Sequence, residues 1–128
     1  MNSRAKELTI GLIGTGFMGK THVYGFAIAD RVFDLPYRLK LVSVADVSEE
    51  LAQSAALSLG FESATSNWMD LINDKDLDLI SITSPNVFHK EMAIAALNAG
   101  KHVYCEKPLA PTLEDSEEMV HAAGQSEG

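Results

Sequence analysis

Gly14, Gly16 and Gly19 fall at the spacing G-x-G-x-x-G within the stretch Leu8 to Thr21, LTIGLIGTGFMGKT. Glycines so spaced, between an apolar run and a helical one, suit a diphosphate. The first permits a tight turn, the second lets the backbone approach charged oxygens, and the third lets helix and strand pack closely. The opening helix turns unpaired N–H groups and the positive end of its dipole toward the same oxygens. The same letters fit a second chemistry. Gly14 to Thr21 also reads G-x-x-x-x-G-K-T, a loop that cradles ATP or GTP with Lys20 on phosphate and Thr21 on Mg²⁺. Asp46, at the end of another apolar run, serves either loop. In a dinucleotide fold it takes the ribose hydroxyls of the adenosine half and, with no arginine beside it, favours NAD over NADP. In a P-loop fold it holds Mg²⁺ through water. Its plainer reading is a residue that opens the next helix. It stands 30 residues after Gly16, where about 20 is usual, and the loop at 31–38 with Pro36 accounts for the excess.

The elements that must hold these residues alternate. Leu8–Ile13 predicts a first strand. A helix from about Phe17 to Asp30 follows, with Met18, His22, Phe26 and Ala29 on its core face. Leu39–Ala45 predicts a second strand. Ser48 caps a helix whose buried stripe is Leu51, Ala55 and Leu59 and whose stop is Gly60. Residues 61–66 hold a short third strand, and Asn67, with Asp70 three residues on, opens a short helix. Residues 78–83 form a strand broken by Ser84-Pro85-Asn86, a helix spans Val87–Ala99 before Gly100, and His102–Cys105 is the next strand. Thr112 caps a last helix, with Asp115 at its third position and Gly124 after it. The acidic run Glu114–Glu118 is a solvated helix start. Residues 1–7 are polar and frayed. Strands apolar on both faces, alternating with helices, predict a parallel α/β sheet covered on both sides, a doubly wound Rossmann-type fold.

Composition narrows the function. The chain has 128 residues, a length suited to one domain, and a net charge of −8. With its lysines and arginines scattered, that charge argues against nucleic acid and anionic membranes as partners. The single cysteine, Cys105, excludes an internal disulfide and fits a reducing compartment. No apolar signal core precedes the first strand and no transmembrane run occurs, so a cytoplasmic location is expected. Cys105, with strand neighbours on both sides, reads as buried and inert. The four histidines make no metal spacing with it, so no metal is expected; His22, His102 and His121 read as structural.

Gly100-Lys101-His102-Val103-Tyr104-Cys105-Glu106-Lys107-Pro108 resembles the G-K-H-V-x-x-E-K-P signature of the glucose–fructose oxidoreductase / inositol dehydrogenase / rhizopine-catabolism family. Ser84-Pro85-Asn86 with His89, and the order of all three motifs, are similar too, over roughly residues 8–124. The Glu-Lys-Pro strand end, following a Gly-rich loop, decides against the P-loop reading.

The resemblance implies an N-terminal Rossmann domain that binds NAD or NADP, followed by a larger domain on an open antiparallel sheet that makes most of the substrate pocket. It implies hydride transfer between nicotinamide and a sugar, inositol or related polyol. Carried over, Lys107 sits beside the reacting hydroxyl, where an ammonium stabilises developing alkoxide charge. Glu106 holds the lysine or contacts the nicotinamide ribose, and Pro108 fixes the turn through a cis Lys–Pro bond. Thr83, Ser84, Pro85, Asn86 and His89 line the cofactor groove. Phe17 and Met18 offer backbone N–H groups to the pyrophosphate. The helper histidine and aspartate of the family belong to the second domain, which this sequence does not contain, nor does it contain the family's sixth strand. The chain alone is therefore expected to lack dehydrogenase activity, and a homo-oligomer joined along the open edge of 102–105 is one expected outcome. A nicotinamide-nucleotide-binding module or partner subunit without catalysis is the alternative reading.

Overall fold

The apolar runs become strands that pair only in parallel. In the computed structural model, which describes residues 6–128, these are β1 (Lys6–Ile13), β2 (Tyr37–Ala45), β3 (Ser63–Thr65), β4 (Leu79–Ile82) and β5 (His102–Cys105). They lie in the order β3-β2-β1-β4-β5. The helices between and after them are α1 (Phe17–Val32), α2 (Glu49–Leu59), α3 (Met69–Asn73), α4 (His89–Asn98) and α5 (Leu113–Gln125). Of the segment expected to fray, residues 1–5 lie outside the described residues, while Lys6 and Glu7 pair with Tyr37 and Arg38 and begin β1.

Alternation along the strands divides the core. Leu12 and Val44 pack with Val23 of α1 and Ala55 and Ala56 of α2 on one face. Ile13, Ala45, Ile80 and Ile82 pack with Leu71 and Ile72 of α3, Met92, Ala93 and Ala96 of α4, and Met119 of α5 on the other. Each large aliphatic side chain buried this way stabilises the fold by about 1.5–3 kcal/mol. Ser81 stands opposite Leu12 in the β1–β4 register and therefore faces α1. Between Ile10 and Gly11 the β1–β2 register slips by one residue, leaving Val42 as a bulge. Its carbonyl accepts from Glu62 N–H at 2.9 Å, which leads the chain into β3.

The helix ends follow their caps. Ser48 Oγ accepts from Leu51 N–H at 3.2 Å and Thr112 Oγ1 from Asp115 N–H at 3.1 Å. Gly60 and Gly100 turn the chain at φ +86° and +79°. Several expected details differ. The buried stripe of α1 is Gly19, His22 and Val23, with Met18 exposed and Phe26 and Ala29 half-buried, because the small Gly19 brings its own side of the helix onto the sheet. That of α2 is Ala52, Ala55 and Ala56, with Leu51 half exposed and Leu59 partly buried; three alanines let that helix settle closely on Leu12 and Val44. The helix expected from Val87 starts as a 3₁₀ turn, Asn86–Phe88, before α4. Gly124 lies inside α5. β5 is apolar on one face only, with Tyr104 about half exposed on the other. The acidic start of α5 is not merely solvated: Asp115 and Glu118 hold Lys90 Nζ at 3.1 and 2.9 Å. Those two carboxylates, Glu118 first, keep the Lys90 ammonium above the usual lysine range. Among the described residues no helix is long and apolar enough to cross a membrane.

At the amino end of the sheet Lys101 is buried, and its ammonium donates to the carbonyls of Asp74 and Leu77, both at 2.7 Å. Those bonds tie the α3–β4 turn to the start of β5. Lys101→Met keeps the apolar stem but leaves both carbonyls without that donor. It is expected to lower stability by about 1–3 kcal/mol, read as a lower urea midpoint at unchanged m-value.

Candidate functional site

The strand order makes the site. β1 and β4 are neighbours, yet the chain leaves β1 for α1 on one face and β4 for α4 on the other. A crevice opens at the carboxyl ends where connections diverge like this. Here it is a groove of about 810 Å³. Gly14, Thr15, Gly16, Phe17 and Met18 line it from the loop after β1, and Asp46 and Val47 from the end of β2. Ser66 and Trp68 follow β3; Thr83, Ser84 and Pro85 follow β4; Phe88 and Met92 close the back.

The glycines shape the loop as their spacing predicts. Gly14 has φ +98°, and a Cβ there would lie 2.9 Å from Ser84 N. A Cβ on Gly19 would lie 2.2 Å from the carbonyl oxygen of Gly14. A Cβ on Gly16 would meet no atom within 4 Å. The first and third glycines thus hold the protein to itself, and the second leaves room above the loop. No side chain caps α1, and Phe17 and Met18, its first residues, line the groove. Thr83 Oγ1 sits 2.9 Å from Gly14 O and 3.1 Å from Ile13 O and pins the loop from below. Thr21 donates its hydroxyl to Phe17 O at 3.0 Å, and neither Lys20 nor Thr21 lines the groove. The loop therefore has the dinucleotide arrangement, with its threonine turned away from any Mg²⁺.

Asp46 reaches across to that loop. Its Oδ2 accepts from the Thr15 N–H at 2.9 Å and from the Thr15 hydroxyl, and its Oδ1 accepts from Val47 N–H at 2.6 Å. A carboxylate offers about four lone-pair directions. Three are in use, which leaves one for a hydroxyl donor from the groove.

A second cluster stands at the carboxyl end of β5. Glu106 N–H donates to Ile82 O at 2.9 Å, continuing the ladder. The Glu106 carboxylate accepts from Lys107 N–H at 3.0 Å through Oε1 and meets His22 Nε2 at 2.8 Å through Oε2. The His22 bond first, and the Lys107 N–H second, hold that carboxyl below the usual carboxylate range. The other nitrogen of His22, Nδ1, lies 2.7 Å from Ser81 Oγ. Lys107 and Pro108 are exposed and joined by a cis peptide. Burial, with the Glu106 charge behind it, pushes the Cys105 thiol up to about 11, so it stays protonated near neutral pH.

Of the residues expected at the site, Gly14, Gly16, Phe17, Met18, Asp46, Thr83, Ser84 and Pro85 share the groove wall. Gly19 lies buried beneath it. Asn86 opens the 3₁₀ turn behind Pro85. Glu106, Lys107 and Pro108 form the separate cluster. His89, expected on the wall, is buried under it at 1% exposure. Its Nε2 lies 2.8 Å from Ser84 O and its Nδ1 3.1 and 3.2 Å from Pro108 O and Leu109 O. It joins the loop after β4 to the loop after β5. Sequence reasoning missed Thr15, Val47, Ser66, Trp68, Phe88 and Met92 on the wall. The available signal was position: each lies at or just beyond a strand's carboxyl end or on the helix that follows.

Residues 8–128 match the family model for the oxidoreductase family with an NAD-binding Rossmann fold. The chain belongs to that family. It is 46% identical over 121 residues to the levoglucosan dehydrogenase of Pseudarthrobacter phenanthrenivorans, covering 91% of this chain and 30% of that protein. It is 37% identical over 116 residues to inositol 2-dehydrogenase of Salmonella typhimurium, covering 90% of this chain and 33% of that protein. Among solved structures, levoglucosan dehydrogenase in complex with NADH and L-sorbose superposes with a TM-score of 0.92 at 44% identity, over 94% of this chain and 32% of that one. An NAD-binding oxidoreductase from Klebsiella pneumoniae gives 0.89 at 47% identity, over 93% and 32%. The chain thus spans about a third of the length of these relatives. The family is the one the Glu-Lys-Pro strand end pointed to, and its fold is the Rossmann-type sheet described above.

Proposed function

We propose that this domain seats NAD in the β1/β4 groove and that, in a complete protein with a substrate domain, it serves hydride transfer to or from a sugar, inositol or related polyol. The observation that carries the reading is the arrangement of the Gly14–Gly19 loop, open over Gly16 and closely packed at Gly14 and Gly19, with Asp46 one lone pair short of saturation beside it. The groove residues fit the cofactor. The N–H groups at the start of α1 suit the pyrophosphate. The spare lone pair of Asp46 suits a ribose hydroxyl, and its charge opposes the 2′-phosphate of NADP. Bound nicotinamide would supply the hydride acceptor or donor. Lys107 would hold the alcohol oxygen through its ammonium and stabilise its developing charge, the hydroxyl proton passing to the helper histidine or aspartate expected of a substrate domain. Glu106 would orient the Lys107 segment through the peptide N–H it accepts. Dehydrogenases of levoglucosan and inositol among the relatives support a polyhydroxylated substrate.

Titration with NADH and NADPH tests the cofactor reading. Trp68, the single tryptophan, lies on the groove wall and reports by its fluorescence. NADH is expected to bind more tightly than NADPH, and Asp46→Ala to weaken NADH by about 10-fold or more, the worth of a hydrogen bond to a charged group, while NADPH gains relative to it. Equal affinity for the two cofactors in both proteins would remove Asp46 from the ribose.

A further inference from the structure

The contact between α1 and the reacting strand end is built from buried polar groups. His22 is 8% exposed and Ser81 0%. Ser81 is a hydroxyl in an otherwise apolar strand, turned toward α1 by the register of β4 on β1. Serine, histidine and glutamate in a row resemble a nucleophile triad, but Ser81 is sealed from solvent and reaches no substrate. The chain of bonds runs the other way, from the buried hydroxyl outward. A carboxylate only accepts, so Nε2 carries the proton given to Glu106, and Nδ1 accepts from Ser81. Ser81 therefore holds the ring in place while Glu106 sets its tautomer, the ring fixes one oxygen of Glu106, and the other oxygen accepts the peptide N–H of Lys107 at 3.0 Å. Tyr104, at 4.8 Å between ring centroids, and Phe26, at 6.3 Å, flank the imidazole and limit its swing.

We propose that His22 is a positioning residue for Lys107: by clamping Glu106 between α1 and β5 it sets where the lysine stands relative to the helix that seats the cofactor. The proposal rests on the reading of Lys107 given above. Mutation can separate the two bonds of the ring. An asparagine at 22 places its amide near the Nδ1 position, within reach of Ser81 but short of Glu106. A glutamine reaches the Nε2 position and can donate to Glu106.

The test compares His22→Asn with His22→Gln in a protein that joins this domain to a substrate domain. His22→Asn is expected to lower kcat for NAD-linked polyol oxidation by about 100-fold, the cost of a misplaced reacting group, with KM and NADH affinity nearly unchanged. His22→Gln is expected to recover most of that loss. Independently of turnover, amide exchange at Lys107 is expected to quicken about tenfold in His22→Asn and to stay near wild type in His22→Gln. Equal behaviour of the two variants, the reverse order, or loss of NADH affinity in step with kcat would overturn the proposal and leave His22 a structural residue. Lys107→Ala runs beside them. If it keeps wild-type turnover the reading of Lys107 fails, whereas if it is inactive and His22→Asn is not, only the role of His22 fails.

Discussion

Lys107→Ala, in a protein that joins this domain to a substrate domain, is expected to lower kcat by about 10²- to 10³-fold, since on the proposed reading it removes the charge that would face the developing alkoxide. NADH affinity should change little. Lys107 is exposed, donates to Glu106 only through its backbone, and lies off the groove wall. Its side chain therefore contributes little to the fold, and the variant should melt with wild type. Steady-state rates with inositol or levoglucosan, alongside a Trp68-detected NADH titration, separate the two effects. A variant that loses cofactor binding along with turnover would assign Lys107 to the nucleotide instead. Lys107→Arg keeps the charge but spreads it over a planar fork, so it should rescue poorly if the point charge is what the reaction needs.

The second large effect is expected at Gly19. Alanine is the better helix former by about 1 kcal/mol, and at an open helical site the change would stabilise. Here the new methyl would stand 2.2 Å from Gly14 O, a backbone atom that cannot swing aside. Relieving such an overlap costs about 1–3 kcal/mol in a packed interior, and it does so by lifting α1 from the loop. Gly19→Ala should therefore lower the melting temperature by about 5–10 °C and weaken NADH by about 100-fold, because the loop that shifts is the one proposed to seat the pyrophosphate. Gly16→Ala is the contrast. Its Cβ meets nothing in the protein, so the fold should stand while NADH, which needs that space, is weakened. Differential scanning calorimetry and cofactor titration on the pair measure both. Equal melting temperatures for the two variants would contradict the contact at Gly14.

Much of this was legible because the signals are local. Gly14 and Gly19 announce a loop whose backbone must close on itself, Ser48 and Thr112 announce helix starts, and His102–Cys105 was bounded by Gly100 and Pro108. The Glu-Lys-Pro strand end carried the family. What stayed hidden depends on which residues the sheet selects. A regular repeat suggested Leu51, Ala55 and Leu59 for the inner face of α2; Ala55 is buried there and Leu59 packs at its edge, whereas Leu51 is half exposed and Ala52 and Ala56 are buried instead. His22 read as structural because nothing in the sequence places it beside Glu106, 84 positions away. Only the register that turns Ser81 toward α1 brings the three together. His89 was expected at the groove and lies beneath it, at the start of α4 just after the 3₁₀ turn Asn86–Phe88.

That buried ring has a consequence for timing. Because His89 reaches Ser84 O on one side and Pro108 O and Leu109 O on the other, it ties the loop after β4, which borders the groove, to the loop that carries Lys107. A tie made when the chain folds lowers the entropy that ordering the two loops would cost at the moment of binding. If NAD binds in the groove as proposed, part of its alignment with Lys107 would then be built into the unliganded domain.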